Sequence, residues 1–322
     1  MKISISPYQL QPRSALNSKT DSKSREGVLL QLESDHGIGY ADLFPWPELG
    51  DEPLSVHLES LRTSRPTALA ARSLLLANRD AQARSRNARL GSKTWIKNNA
   101  LVTDPLRVSD DDLRRWDIEG FSMIKVKCGA DVAAEIGLIQ KIASKFSFRF
   151  RLDFNSGSVD FLERFLAAFP ESLDERIDYA EDPCPYQKDR WSELRKRWPL
   201  ALDHELSKVN RDEELAADVL ILKPARQNVE ELAEWAARRG MAVTLTSSMD
   251  HPVGVAHGMA IAHELQKDSR FKILESGFLT LDCYAEESFA ARFPVEGPWM
   301  AMPEGHGIGF DELFREVPWR TL

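Results

Sequence analysis

From about residue 94 onward, short apolar runs alternate with stretches of helical period, and nothing else in this 322-residue chain restricts its fold as tightly. The predicted strands are "TWIKNNALV", "MIKVKCG", "FRFRLDFN", "IDYAEDP", "PLALDHE", "VLILKPA", "MAVTLTSS" and "FKILE". Helical segments such as "AAEIGLIQKIASKF", "VDFLERFLAAFP" and "VEELAEWAARRG" fall between most of them. Repeated strand–helix units imply parallel strands with helices covering the sheet. About eight such units in roughly 190 residues suggest a compact (β/α) barrel. A doubly wound open sheet is the alternative, but no strand–GxGxxG–helix unit supports it. The late "GHGIG" follows no strand and reads as a turn.

The first 93 residues have a different, α+β texture. "MKISISPYQL", "EGVLLQLES" and "IGYADLFP" read as strands, and Pro53 to Arg86 has helical spacing of Leu and Ala. Between the first two strands lies a polar, Ser- and Lys-rich segment, residues 13–27, expected to be a loop that closes over a site as a lid. A net charge of −8 argues against a general nucleic-acid surface. The apolar runs are too short for a membrane span, and the N-terminus lacks a signal-peptide core. Cys128, Cys184 and Cys283 have no metal-type spacing. A soluble, cytoplasmic protein with reduced thiols is expected.

In such a barrel the active site forms at the C-terminal strand ends. Strand two ends on Lys127, strand three on Asp153 with Asn155 beyond, strand four on Glu181 and strand five on Asp203. Strand six ends on Lys223, and strand seven runs into Ser247 and Ser248. The successive steps of 26, 28, 22, 20 and 24 residues each match one strand–helix unit, so all these side chains reach one rim. Any one carboxylate could simply cap a helix, and a lone strand-end lysine is usually solvated. Three carboxylates in succession would repel one another unless a hard cation such as Mg²⁺ joins them. Lys127 and Lys223 face each other across the mouth. Lys125 shares a strand face with Lys127 and is expected to lower its pKa. The set suits proton abstraction next to a carboxylate, with a lysine base and a divalent metal. Lysines on both faces permit racemisation or elimination.

"KVKCG", "RLDFN", "EDP", "LDHE" and "LKP", in this order and spacing, resemble the enolase superfamily and, within it, the muconate-lactonizing-enzyme-like subgroup. "GIGYADLFPWPELG" and "GHGIGFDE" extend the likeness over nearly the whole chain. "EDPCP", "LTSSMDHPVG" and "ESGFLTLD" are most similar to the o-succinylbenzoate synthases of that subgroup. The resemblance implies an α/β fold: a modified TIM barrel, (β/α)7β, over residues 94–284. An α+β capping domain is implied for residues 1–93, with 285–322 returning to it. The implied chemistry is loss of water from 2-succinyl-6-hydroxy-2,4-cyclohexadiene-1-carboxylate to give 2-succinylbenzoate, in menaquinone biosynthesis. Lys127 would be the acid–base residue and Lys223 a cation on the opposite face. Asp153, Glu181 and Asp203 would hold Mg²⁺, with Mn²⁺ as a substitute. Ser247, Ser248, Asn155 and Gly277 would receive the substrate, and Arg151 would position Lys127 or the metal site. A monomer acting on a small carboxylate, with no nucleic-acid or membrane partner, is implied.

An N-succinylamino acid racemase or dipeptide epimerase of the same subgroup is the alternative, and a non-catalytic binding barrel a further one. The chain departs from the family pattern at Met249, at His204 and Glu205 after Asp203, and at Asp42. His251, His257 and His263 read as packing or surface residues, because strand seven ends without a histidine base. Cys128 reads as a buried thiol. Phe44 and Trp46, in "FPWPELG", are candidates for lining the pocket.

Overall fold

The computed structural model describes residues 2–16, 23–285 and 287–322; the centre of the expected lid, residues 17–22, lies outside them. β1 (Lys2–Leu10), β2 (Arg25–Ser34) and β3 (Gly37–Leu43) form an antiparallel meander. Alternation sets its inner face, and α1 (Leu54–Arg62) and α2 (Ala68–Ser85) follow it. A Cβ at Gly39 would stand 2.0 Å from the Ala77 carbonyl oxygen, so glycine is what lets β3 lie this close to α2.

The expected strand "TWIKNNALV" is divided. β4 (Ile96–Lys97) leaves for a small outer sheet, and β5 (Ala100–Val102) begins the barrel. Asn98 and Asn99, both buried, make the break by turning their side-chain amides onto backbone carbonyls. β6 (Met123–Lys127), β7 (Arg149–Asp153), β8 (Ile177–Glu181), β9 (Leu200–Leu202), β10 (Val219–Leu222) and β11 (Ala242–Leu245) then pair in sequence order, all parallel. The expected eighth strand is reduced to single bridges: Val243 to Ile273, Thr246 to Gly277, and Asn98 to Ser276. Those bridges close the ring. Every residue of β10 and β11 is buried, as expected for strands covered on both faces.

α3 (Asp110–Ile118), α4 (Val132–Lys145), α5 (Val159–Ala168), α6 (Lys188–Leu194), α7 (Val229–Arg238) and α8 (Pro252–Leu265) surround the strands. No apolar stripe announces α3, which buries only Leu113 and is started by a Ser109–Asp112 capping box. After β9 there is a 3-10 turn, His204–Lys208, and no α-helix before β10. β12 (Val295–Glu296) and β13 (Trp299–Met300) complete the sheet begun by β4. Gly305, Gly307 and Gly309 all have positive φ, so "GHGIG" is a turn as expected. α9 (Asp311–Glu316) follows, and β14 (Arg320–Thr321) adds to the edge of β1. Asp80, fully buried on α2, ties these parts together by accepting the backbone N–H groups of Tyr40 and Ile308.

Candidate active site

Parallel register places the polar strand ends level. Lys127 is paired with Asp153, and Asp153 with Glu181. Asp203 lies one residue past β9. The carboxylates are almost wholly buried: Asp153 and Glu181 are each 1% exposed and Asp203 6%. Lys127 Nζ donates to Asp153 Oδ2 at 2.5 Å. Lys125 Nζ lies 2.7 Å from the same oxygen and donates to Glu181 Oε2 at 2.6 Å. Lys223 Nζ donates to Asp203 Oδ2 at 2.6 Å and to His204 Nε2 at 3.4 Å. β6 and β10 are four positions apart in an eight-position ring, so Lys127 and Lys223 stand on opposite sides. Between them opens a cavity of about 420 Å³ lined by both lysines, Glu181 and Asp203.

Among the described residues, no three His, Cys, Asp or Glu side chains are gathered as a ready metal cage. The ammonium groups stand between the carboxylates instead. Burial pushes Glu181 up to about 7, with the charge of Asp153 adding to it and Lys125 only partly offsetting it. Burial also acts on Asp153, but there Lys125 and Lys127 outweigh it and hold the carboxyl well below its usual range. Asp203 is likewise lowered, burial being overcome by Lys223 and His204. The charge of Asp203 favours protonated His204, but Lys223 and burial together bring it down to about 4.

Two expectations need correction. Lys125 does not act as a free cationic neighbour of Lys127. Burial lowers its affinity for a proton, but Asp153 and Glu181 overcome that and raise its pKa well above the ordinary value. Both lysines share one carboxylate oxygen, which removes the repulsion expected of two cations on one face. Arg151 does not reach Lys127 or the carboxylates. It lies one pleat deeper on β7, 1% exposed, and donates to Asp178 Oδ2, Asn99 Oδ1 and the Glu275 carbonyl. Its role is to cross-link the seam where the barrel closes.

The remaining predicted residues come to the same cavity. Asn155, Ser247, Ser248 and Gly277 all line it. The Asn155 side-chain amide nitrogen and the Ser248 hydroxyl are buried without a protein partner, whereas Ser247 Oγ pairs with Thr280 Oγ1 at 2.7 Å. Asn155, Ser156, Asp182 and Met249 carry positive φ just beyond barrel strands, a clustering of backbone strain typical of functional sites. Trp46 lines the cavity as expected, while Phe44 packs edge-on against it at 5.7 Å. His251 caps α8, His257 donates to the Tyr40 carbonyl, and His263 donates to that of Thr94, so all three are structural. Cys128 is a buried free thiol.

Sequence reasoning missed Asp182 and Arg226. Buried Asp182 accepts the backbone N–H groups of Asp203, His204 and Glu205, and so fixes the turn that presents Asp203. The signal was the second acid of "EDP". Arg226 had no local signal, because its partners lie far away in sequence.

The chain is similar to known proteins in sequence and in fold. Residues 3–83 match the family model of the o-succinylbenzoate synthase N-terminal domain, and residues 109–313 that of the enolase C-terminal domain-like family. The o-succinylbenzoate synthase of Bdellovibrio bacteriovorus is 39% identical over 329 residues, covering 100% of this chain and 99% of that one. An N-succinyl Arg/Lys racemase from Bacillus cereus has a similar structure, with a TM-score of 0.78 at 16% identity over 100% of both chains. A dipeptide epimerase from Enterococcus faecalis, solved with Mg and the dipeptide L-Leu-L-Tyr, gives 0.73 at 13% identity over 96% of this chain and 98% of that one. At those identities the two structures bear on the fold alone.

Proposed function

The chain belongs to the enolase superfamily, in its o-succinylbenzoate synthase-like branch, and we propose that it is an Mg²⁺-dependent lyase forming 2-succinylbenzoate and water from 2-succinyl-6-hydroxy-2,4-cyclohexadiene-1-carboxylate. The observation that carries this reading is the pair of opposed lysines, Lys127 and Lys223, flanking buried carboxylates at one cavity. The full-length relative and the matching N-terminal domain support the particular substrate. On this reading the protein is a cytoplasmic monomer serving menaquinone synthesis.

Asp153, Glu181 and Asp203 would hold the cation. Their donor set is all oxygen, as Mg²⁺ prefers, and Mn²⁺ would substitute. The burial of all three carboxylates supports the fit, since Glu181, pushed up to about 7 chiefly by loss of solvent, gains from a cation that replaces that solvation. When bound, the metal supplies positive charge to the substrate carboxylate as the adjacent proton leaves. Lys127 Nζ takes that proton and returns it to the departing hydroxyl, so water leaves and the ring becomes aromatic. Lys223 stays an ammonium on the other face and steadies the negative charge spread over the ring. Lys125 and Asp182 hold the carboxylates in place.

The purified protein with Mg²⁺ is expected to convert the cyclohexadiene to 2-succinylbenzoate, followed by absorbance. Absence of product, together with racemisation of an N-succinylamino acid, would replace this reading by the racemase one. Lysines on both sides of the cavity are what gives that second reading its ground, since a racemase needs one on each face. Lys223→Arg separates them further: the lyase keeps its cation, whereas a racemase loses exchange of the substrate α-proton on one face.

A further inference from the structure

The roof of the cavity comes from the segment after β3, residues 44–51, whose Trp46 and Leu49 both line it. Its internal fold is a single 3-10 turn, with the Trp46 carbonyl accepting the N–H groups of Leu49 and Asp51. A turn this short does not fix its own tilt over a pocket. What fixes it reaches up from the barrel. Arg226 sits in the turn that follows β10, its N–H donating to the Lys223 carbonyl at 2.9 Å. From there its guanidinium donates to the Phe44 carbonyl at 3.2 Å and pairs with Asp51 Oδ2. That same Asp51 oxygen accepts the Trp46 N–H at 2.6 Å. One planar fork therefore grips both ends of the roof, and a lysine could not reach both partners from one ammonium. Trp46 is 2% exposed, and Arg25 stacks on its ring at 3.9 Å, so the indole has one position once the fork is in place.

We infer that Arg226 is a positioning residue that latches the 44–51 roof to the Lys223 turn through Asp51, and that the latch sets recognition of the part of the substrate remote from the carboxylate cluster. The inference rests on the proposed function for its ligand, since 2-succinylbenzoate carries a side chain that a smaller ring carboxylate lacks. Substrates that do not reach the roof would be indifferent to the latch.

The test compares wild type, Arg226→Met, Arg226→Lys and Asp51→Asn, each with Mg²⁺. Binding of 2-succinylbenzoate and of benzoate is measured by calorimetry, beside kcat and KM for the dehydration. Loss of one charge-assisted grip on the roof weakens 2-succinylbenzoate binding and raises KM about tenfold in Arg226→Met. Benzoate binding stays within about twofold, as expected for a ligand that misses the roof. Arg226→Lys and Asp51→Asn fall between, in the same direction. Tryptophan emission shifts to the red in Arg226→Met, and the shift disappears when Trp46→Phe is added. Equal weakening of both ligands, or unchanged 2-succinylbenzoate binding in folded Arg226→Met and Asp51→Asn, overturns the latch. If wild type neither forms nor binds 2-succinylbenzoate, the proposed function fails instead. The emission comparison needs no ligand: without the Trp46-dependent red shift, the latch itself is wrong.

Discussion

Replacing Arg151 by methionine separates a structural arginine from a catalytic one. The guanidinium is 1% exposed and holds three acceptors, Asp178 Oδ2 at 2.9 Å, Asn99 Oδ1 at 3.0 Å and the Glu275 carbonyl at 2.7 Å. Asp178 would not be stranded, because Arg149 reaches its other oxygen at 3.0 Å. Asn99 and the Glu275 carbonyl would each lose a charged donor at the barrel seam. An unsatisfied buried acceptor costs ~1–3 kcal/mol, and methionine regains part of the lost packing. The expected loss is about 2–4 kcal/mol, near the lower end of what breaking a buried ion pair costs. With a urea slope of ~3 kcal/mol per molar, the unfolding midpoint falls by about 1 M, read by circular dichroism. Turnover by the folded protein stays within about threefold, since the guanidinium bonds Asp178, Asn99 and the Glu275 carbonyl and not Lys127 or the three carboxylates. Arg151→Lys rescues little, because one ammonium cannot span three partners. An unchanged midpoint would sink the seam argument, and normal stability with lost turnover would return Arg151 to the chemistry.

Acid should act through His257, which is neutral in the fold because burial brings it down to about 3. The unfolded chain takes up a proton below ~6.5, so stability is lost as pH falls from there toward the folded value, about 2.5 kcal/mol by pH 4.5. His257→Gln should lack that part of the slope, and parallel midpoint–pH curves for the two proteins would refute it. Since burial pushes Glu181 up to about 7, Mg²⁺ binding near neutral pH should release part of a proton, and more at pH 6. Calorimetry in two buffers of different ionisation enthalpy measures this; buffer-independent heats would contradict it. A Cβ at Gly258 on α8 would lie 2.8 Å from Phe278 Cε1, so Gly258→Ala should destabilise by ~1–3 kcal/mol in thermal or urea unfolding. Lys127→Met should lower kcat by at least ~10²-fold while Mg²⁺ still binds, and substantial residual turnover would remove Lys127 as the base.

The carboxylates and lysines were legible because a parallel strand announces its end: an apolar run stops on one polar residue, and the run spacing carries the register. Depth was not legible. Alternation says that Arg151 shares a face with Asp153 and Lys125 with Lys127, but not that a step of two residues, ~6–7 Å, takes Arg151 from the mouth into the seam. The same step places Lys125 between two carboxylates rather than beside a free amine. α3 escaped notice because its nine residues bury one leucine and present no apolar stripe. The contact of Arg226 with Asp51 joins residues 175 positions apart, and neither residue has a neighbour in sequence that hints at the other.

The edge strand β14 has a consequence for the order of assembly. Ser4 pairs with Thr321 and Ile5 with Arg320, so β1, made before the barrel, waits for a strand made after it before its sheet is whole. Everything between them, the barrel included, is a loop tied off by that pairing. Barrel strands join neighbours about one strand–helix unit away, while the β1–β14 seam closes over the whole barrel, a slow kind of contact to form. The cap that shelters the chemistry is thus begun before the barrel and finished after it.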